Sequence, residues 1–310
     1  MIIKKVSKLS LKSDPLYLKE NKMALQLKSM AVIGAGTMGK GIAQWFAQQG
    51  FQVQLVDTKI EIAQTSCHQI IASWKKLVEK KKFTEEQALM FETMLSAKSL
   101  EEMNDCDLVI EAIVEKKEIK DQLFKDLDEK LPDHCIFASN TSSLSIAELS
   151  QAVSVKRRAR FLGLHFFNPA TIMKLVEVVG TSDVEDGLAM QIASWFQKHG
   201  KEAAQCKDGP GFIVNRLARS FYGEALRIVG DENTEQEREV DSILKQVGGF
   251  QMGPFELMDL IGIDINLDVT NIVWNAFHKN PRFAPHPLQE KMVKDGRFGK
   301  KTKKGFFSYE

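Results

Sequence analysis

The chain contains no run of about 18 apolar residues, so the sequence offers no membrane-spanning helix. Cysteine is scarce. Cys67, Cys106, Cys135 and Cys206 stand far apart in the sequence, with no CxxC pair. That spacing suggests neither a metal site nor a disulfide framework, and the four read as reduced thiols of a cytoplasm-like compartment. No charge of one sign dominates: Lys plus Arg total 42 and Asp plus Glu 41. The balance argues weakly against nucleic acid as the main partner. Internal repeats and low-complexity stretches are absent as well. What is present is 310 residues, 44% hydrophobic and 27% charged. That is enough to bury a core, as one large domain or two ordinary ones.

The net charge of +1 is unevenly spread. Residues 1–29 carry seven lysines against Asp14 and Glu20, so this segment is +5 and the other 281 residues sum to −4. The segment has no apolar h-region and no Arg, which fits neither a secretory signal nor a mitochondrial presequence. Residues 1–27 are read as a basic N-terminal extension, with Met23 and Met30 as possible later starts. A cytoplasmic, bacterial-type location is expected over a mitochondrial matrix.

Fold signal begins at Lys28, where a short apolar run ends abruptly at Gly34 and reads as a buried strand. Apolar residues at helix spacing follow over 38–49, then a strand over 51–57 and a long helix over 60–80. A charged helix is expected over 84–95. Strands follow at 107–114, 135–139, 160–165 and 174–179, with helices at 116–130 and 145–151. Alternating strands and helices imply a mostly parallel α/β sheet of Rossmann type. After Lys207-Asp-Gly-Pro-Gly211 the pattern changes to helices at 211–229, 239–246, 254–262 and 264–278. The boundary is placed near 208, giving a domain over 28–208 and an all-α C-terminal domain over 209–310.

Gly34-Ala-Gly36-Thr37-Met38-Gly39 lies directly after a strand and opens a helix. In that context GxGxxG is a dinucleotide fingerprint: a tight turn, a close approach to a pyrophosphate, and close helix–strand packing. The helix N-terminus offers free N–H groups and a positive dipole to the phosphates. Asp57 ends the second strand, where a carboxylate accepts from ribose hydroxyls and repels a 2′-phosphate, so NAD is expected over NADP.

His165-Phe-Phe-Asn168-Pro169 closes a later strand, and Glu177 interrupts the apolar run 174–179. An acid in a buried strand needs a partner, and an imidazole on the preceding strand supplies one. Such a pair is either a structural ion pair or an acid–base device.

At these residues the chain resembles the 3-hydroxyacyl-CoA dehydrogenase family, over about Lys28 to Glu310. The marks are GAGTMG, EAIVE (111–115), SNTSSL (139–144), HFFNP (165–169), KLVEVV (174–179), PGFIVNR (210–216), MGPFELMDLIG (252–262) and GRFGKKT (296–302). The resemblance implies a Rossmann-like domain, a helical domain that mediates homodimerisation, and NAD-dependent interconversion of (S)-3-hydroxyacyl-CoA and 3-oxoacyl-CoA. It implies His165 as general base with Glu177 as its partner, and Ser142 and Asn215 as polar groups toward the substrate oxygen. It implies Glu115, Lys120, Asn168 and Lys301 as cofactor contacts, beside Gly34, Gly36, Thr37, Met38, Gly39 and Asp57. For the CoA end it implies Ser73 with Lys80 or Lys81, in a lysine cluster suited to phosphates. Histidine fits the base role, because it takes and returns a proton near neutral pH.

Two departures stand out. Lys303 occupies a place where the family usually has glycine, and a lysine is expected to tolerate positive φ poorly there. The stretch from Asp231 to Val240 is unlike the common linker. Two other readings compete: a 3-hydroxyisobutyrate or 6-phosphogluconate type dehydrogenase, which relies on a catalytic lysine, and a non-enzymatic, lens-crystallin-like scaffold. Neither needs His165, Glu177, Ser142 and Asn215 together. Segments near 249–255 and 264–270 resemble members acting on dicarboxylic hydroxyacyl-CoAs such as 3-hydroxyadipyl-CoA.

Overall fold

A computed structural model describes residues 25–310. Most of the basic extension, including Met23, lies outside the described residues. The first part runs β1 (Ser29–Ile33), α1 (Thr37–Gln48), β2 (Gln52–Asp57), α2 (Ile60–Glu79), α3 (Glu85–Thr93), β3 (Leu95–Ser99), β4 (Leu108–Glu111), α4 (Lys117–Lys130) and β5 (Ile136–Ser139). It continues with the one-turn helices α5 (Ile146–Leu149) and α6 (Val155–Arg158), then β6 (Phe161–Phe166), β7 (Leu175–Gly180), α7 (Leu188–Lys198) and β8 (Glu202–Lys207). Helices follow: α8 (Val214–Val229), α9 (Thr234–Gln246), α10 (Pro254–Ile261), α11 (Ile263–Ala276) and α12 (Pro287–Lys294).

The eight strands form one sheet in the order β3-β2-β1-β4-β5-β6-β7-β8. All pairings are parallel except β6 with β7. This is a Rossmann-like α/β sheet followed by a helical C-terminal part. The order reverses between β1 and β4, the place where such sheets take their ligand. Each face of the sheet has its own core. Trp45, Phe46, Trp74, Phe166 and Phe196 pack one face, and Phe124, Phe137 and Phe161 the other. A third apolar cluster, around Phe255, Met258 and Phe306, holds the helices of the second part.

Several elements differ from the sequence reading, and helices α6, α7 and α12 were not expected from it. The helix expected over 84–95 stops at Thr93, and Leu95–Ser99 is edge strand β3. Strand β8 (Glu202–Lys207) was not expected either. Both edge strands interleave polar with apolar residues, so neither shows the continuous apolar run of a buried parallel strand. Helix α9 starts five residues earlier than its apolar spacing suggests. Asn233 caps it, its side chain accepting from the Gln236 amide, so the unusual 231–240 stretch is helix for most of its length.

Candidate active site

The antiparallel pairing of β6 with β7 sets His165 directly opposite Glu177. The imidazole Nδ1 lies 2.6 Å from Glu177 Oε2. Glu177 Oε1 accepts from the Ile213 and Val214 amides, at 2.9 and 2.8 Å. The glutamate is 0% exposed, yet both oxygens are partnered. Two N–H donors at the start of α8, on the positive end of its dipole, suit a carboxylate. An acceptor-only carboxylate requires Nδ1 to carry the proton, which leaves Nε2 as the basic nitrogen. His165 is 6% exposed and lines a cavity of about 440 Å³.

The Pro210-Gly-Phe212 turn makes this junction. Gly211 has φ +73°, and a Cβ there would stand 2.9 Å from the Arg216 amide nitrogen. The turn drops α8 onto Glu177 and sets Phe212 beside the imidazole, ring centroids 5.8 Å apart; Phe167 flanks it at 4.5 Å.

The same cavity is lined by Ser142, Asn215, Asn168, Glu115, Lys120 and Met38. The structure thus brings together residues scattered over 177 positions. Asn215 Nδ2 donates to the Ser142 carbonyl at 3.3 Å, across the seam between the two halves. Glu115 organises the Ser142 loop: its Oε1 accepts from the hydroxyls of Thr141 (2.5 Å) and Ser143 (2.9 Å) and from the Ser142 amide (3.0 Å). Burial pushes the Glu115 carboxyl up, but Lys120 and these donors outweigh it and hold it below its ordinary value.

Lys120 is 1% exposed, its ammonium held 2.5 Å from Glu111 Oε1 and 3.1 Å from Glu115 Oε2. Glu111 Oε1 also accepts from the Ile113 amide, and Oε2 from the Ser139 hydroxyl. Sequence reasoning missed Glu111 as a builder of this site. The signal existed: an acid inside the apolar run 107–114, the same anomaly that singled out Glu177. Lys201 was missed too. Its buried ammonium donates to the Ala170 and Met173 carbonyls and sits over the Trp45 ring, so it clamps the loop that follows Asn168.

The glycine loop fits a dinucleotide. Gly34 has φ +101°, and a Cβ there would meet the Ala112 carbonyl oxygen at 2.6 Å. A Cβ on Gly39 would meet the Gly34 oxygen at 1.8 Å, whereas one on Gly36 would meet nothing within 4 Å. The first and third glycines thus serve backbone packing, and the second leaves open space before the N-terminus of α1, whose first turn has no side-chain cap. Thr37 is the first residue of that helix. Asp57 ends β2 and turns back to the loop, its Oδ2 accepting from the Ala35 amide at 2.8 Å.

Other expected residues lie elsewhere. Lys301 pairs with Asp264 at 2.5 Å and does not line the cavity among the described residues. Lys303 does take a left-handed backbone, φ +59°, against the expectation from its side chain. The Ser73 hydroxyl donates to the Ile70 carbonyl and accepts from Gln44, on α2. Lys80 and Lys81 follow the end of that helix, Lys81 at φ +55°. Cys106 and Cys135, 29 residues apart, come within 3.9 Å as free, buried thiols. Among the described residues no His/Cys/Asp/Glu cluster has the makings of a metal site. No described helix is long and apolar enough to cross a membrane.

A dinucleotide cradle at the switch point of the sheet, next to a carboxylate-braced histidine, defines an NAD-linked oxidoreductase. Residues 29–209 match the 3-hydroxyacyl-CoA dehydrogenase NAD binding domain, and residues 211–309 the C-terminal domain of the same family. The chain belongs to the 3-hydroxyacyl-CoA dehydrogenase family, and NAD is its cofactor. It is 41% identical over 297 residues to the mitochondrial hydroxyacyl-coenzyme A dehydrogenase of Sus scrofa, covering 92% of each chain. It is 40% identical to the 3-hydroxyadipyl-CoA dehydrogenase of Escherichia coli K12, covering 93% of this chain and 60% of that one. Among solved structures, the 3-hydroxybutyryl-CoA dehydrogenase of E. coli superposes with a TM-score of 0.86 at 38% identity, over 92% of this chain and 60% of that one. The (S)-3-hydroxybutyryl-CoA dehydrogenase of Ralstonia eutropha gives 0.83 at 32% identity, over 92% of this chain and all of the other.

Proposed function

We propose that the chain oxidises (S)-3-hydroxyacyl-CoA to 3-oxoacyl-CoA, reversibly, with His165 as general base and Glu177 as its positioning partner. The observation that supports this most is the fully partnered Glu177, which directs the His165 Nδ1 proton to itself and leaves Nε2 to the cavity. NAD, when bound, supplies the two-electron acceptor. His165 Nε2 takes the hydroxyl proton of the substrate and returns it in the reverse direction. Glu177 holds the ring and stabilises the imidazolium, and such acid–base help is worth roughly 10²–10⁴ in rate. Ser142 and Asn215 face the reacting oxygen and favour its charged form. Phe167 and Phe212 limit water around the imidazole.

The glycine loop, Asp57, Glu115, Lys120 and Asn168 hold the cofactor in this reading; for Lys301, paired with Asp264 outside the cavity lining, a cofactor contact is supported by the family resemblance alone. Ser73, Lys80 and Lys81 take the CoA nucleotide. A role in fatty-acid β-oxidation or butyrate-type metabolism is part of this reading, and a cytoplasmic location accords with four unbridged thiols. The exposed Leu217, Ile228, Val247 and Phe250 of the helical part support a homodimer through that face. The division at about 208 accords with the turn at 209–212 that separates β8 from α8. The test is NADH formation by the purified full chain from NAD and 3-hydroxybutyryl-CoA. Turnover supports the proposal; tight NAD binding without turnover of any 3-hydroxyacyl-CoA overturns it.

A further inference from the structure

Helix α8 forms a wall shared by two cavities. Arg219 and Tyr222 line the cavity that holds His165, and they also line a smaller one of about 130 Å³. The smaller cavity takes Thr270 from α11, Gln289 from α12, and Arg282 and His286 from the segment that joins those helices. Arg227 adds to it from α8, eight residues after Arg219 and so on the same face. Among the described residues no acid lines this cavity.

The arginine ion pairs among the described residues are those of Arg157, Arg160, Arg227 and Arg297, so Arg219 and Arg282 have none. Arg219 is 5% exposed, and its partners are uncharged. Its Nε donates to the Asn215 carbonyl at 3.2 Å, and its Nη1 to the Asn266 carbonyl and the Thr270 hydroxyl, each at 2.7 Å. Nη2 has no acceptor among these bonds. Burial pulls the guanidinium down to about 10, which still leaves it charged at neutral pH. Arg227 Nη1 meets Glu224 at 2.6 Å, outside the lining, and its Nη2 donates to the Arg282 carbonyl at 3.2 Å. Arg282 itself is exposed, which puts a cation on the solvent side. His286 Nδ1 accepts from the Leu288 amide at 3.3 Å, so the neutral ring carries its proton on Nε2. Burial and the Arg227 charge, against Asp231, hold its pKa below the ordinary value, which keeps the ring a neutral donor.

An enclosed guanidinium without a counter-charge is costly, and protein carbonyls offset only part of that cost. Two further arginines and a neutral N–H donor adjoin it. Charge of one sign around a low-dielectric cleft concentrates counter-ions there. The fork of a guanidinium matches the oxygens of a phosphate. The size admits a small anion and not a nucleotide. We propose that this cavity binds a small oxyanion of the phosphate class, at a site separate from the dinucleotide cradle and from Ser73, Lys80 and Lys81. The Arg219 Nε bond ties the site to Asn215 one turn earlier, so an anion there braces the helix that carries Asn215. This inference does not depend on the activity proposed above.

The test is calorimetric titration of the purified full chain, saturated with NAD, with inorganic phosphate exchanged for chloride at constant ionic strength. NAD fills the dinucleotide cradle, so phosphate does not bind there. Saturable binding of one phosphate per chain is expected. Arg282→Met is expected to weaken it about tenfold, the worth of one charge-assisted hydrogen bond. Arg227→Met should weaken it less, because Glu224 already takes part of that charge. Both residues are exposed, and both variants are expected to keep the wild-type kcat with 3-hydroxybutyryl-CoA. The double variant Lys80→Met/Lys81→Met is expected to bind phosphate as the wild type does. No phosphate binding beyond that of chloride overturns the inference. So does an affinity unchanged in Arg282→Met, or one lost in the Lys80→Met/Lys81→Met variant, either of which would place the phosphate elsewhere. None of these outcomes touches the dehydrogenase reading.

Discussion

Two glutamates of this chain, Glu177 and Glu237, are both 0% exposed, and they behave in opposite ways. Glu177 meets three donors: the His165 ring and two amides at the start of α8. Glu237, on α9, has one long contact, from the Asn233 amide at 3.4 Å, and its Oε2 has no partner. Burial pushes the Glu237 carboxyl up to about 7, and the Glu232 and Asp259 carboxylates add to that. Enclosure alone therefore does not make a working carboxylate. What distinguishes Glu177 is a full set of donors, with a partner whose far nitrogen faces a cavity. Glu111 stands between the two: fully partnered, but by Lys120, Ser139 and a backbone amide that shape the cavity wall.

Substitutions at the three sites sharpen this contrast. Glu177→Gln puts an amide where one carboxylate oxygen accepts from His165 and the other from two amides. At least one donor then faces a donor, and the histidine loses its enforced tautomer. We expect kcat with 3-hydroxybutyryl-CoA to fall by about 10²–10⁴, comparable to loss of a catalytic base, with NAD affinity within about threefold. A kcat near the wild-type value would reduce Glu177 to the rank of a structural anchor. Glu111→Ala leaves the Lys120 ammonium buried with Glu115 as its remaining acid. Urea unfolding should show a loss of about 3–5 kcal/mol, the cost of breaking a buried pair from one side. A loss under about 1 kcal/mol would mean that Lys120 reaches water without hindrance.

Glu237→Gln should do the reverse and stabilise the chain near neutral pH. A carboxyl whose folded pKa is raised gives stability that is fully present below its ordinary 4.5 and is lost as pH rises through about 7. The variant should therefore gain little at pH 4 and up to about 3 kcal/mol at pH 8, from about 1.4 kcal/mol for each pH unit between 4.5 and about 7. Urea melts of both proteins at the two pH values decide it, and a gain independent of pH would contradict the burial argument.

The sequence made the cofactor region readable because backbone demands there leave a direct mark. Gly34 and Gly39 are needed by contacts that no side chain survives, so their spacing carries the geometry. Glu177 was readable because an acid in an apolar strand is chemically anomalous. Glu111 carries the same anomaly and was passed over, because its partner Lys120 sits on a helix whose other lysines are solvated. Strands β3 and β8 were hidden by their position at the sheet edges, where alternation with polar residues replaces a continuous apolar run. Two features had no sequence signal: the docking of the α8 N-terminus on Glu177, and the bonding of Arg219 on α8 to Asn266 and Thr270 on α11. Both depend on how the second half seats against the first, and local pattern does not carry that.

In the proposed mechanism His165, braced by Glu177, takes the substrate proton while the glycine loop holds NAD independently. The most direct test is His165→Ala, measured for both NAD dissociation constant and kcat with saturating 3-hydroxybutyryl-CoA. NAD affinity is expected to stay within about threefold of wild type and kcat to fall by about 10²–10⁴. A variant with near-normal kcat would contradict it and place the base elsewhere.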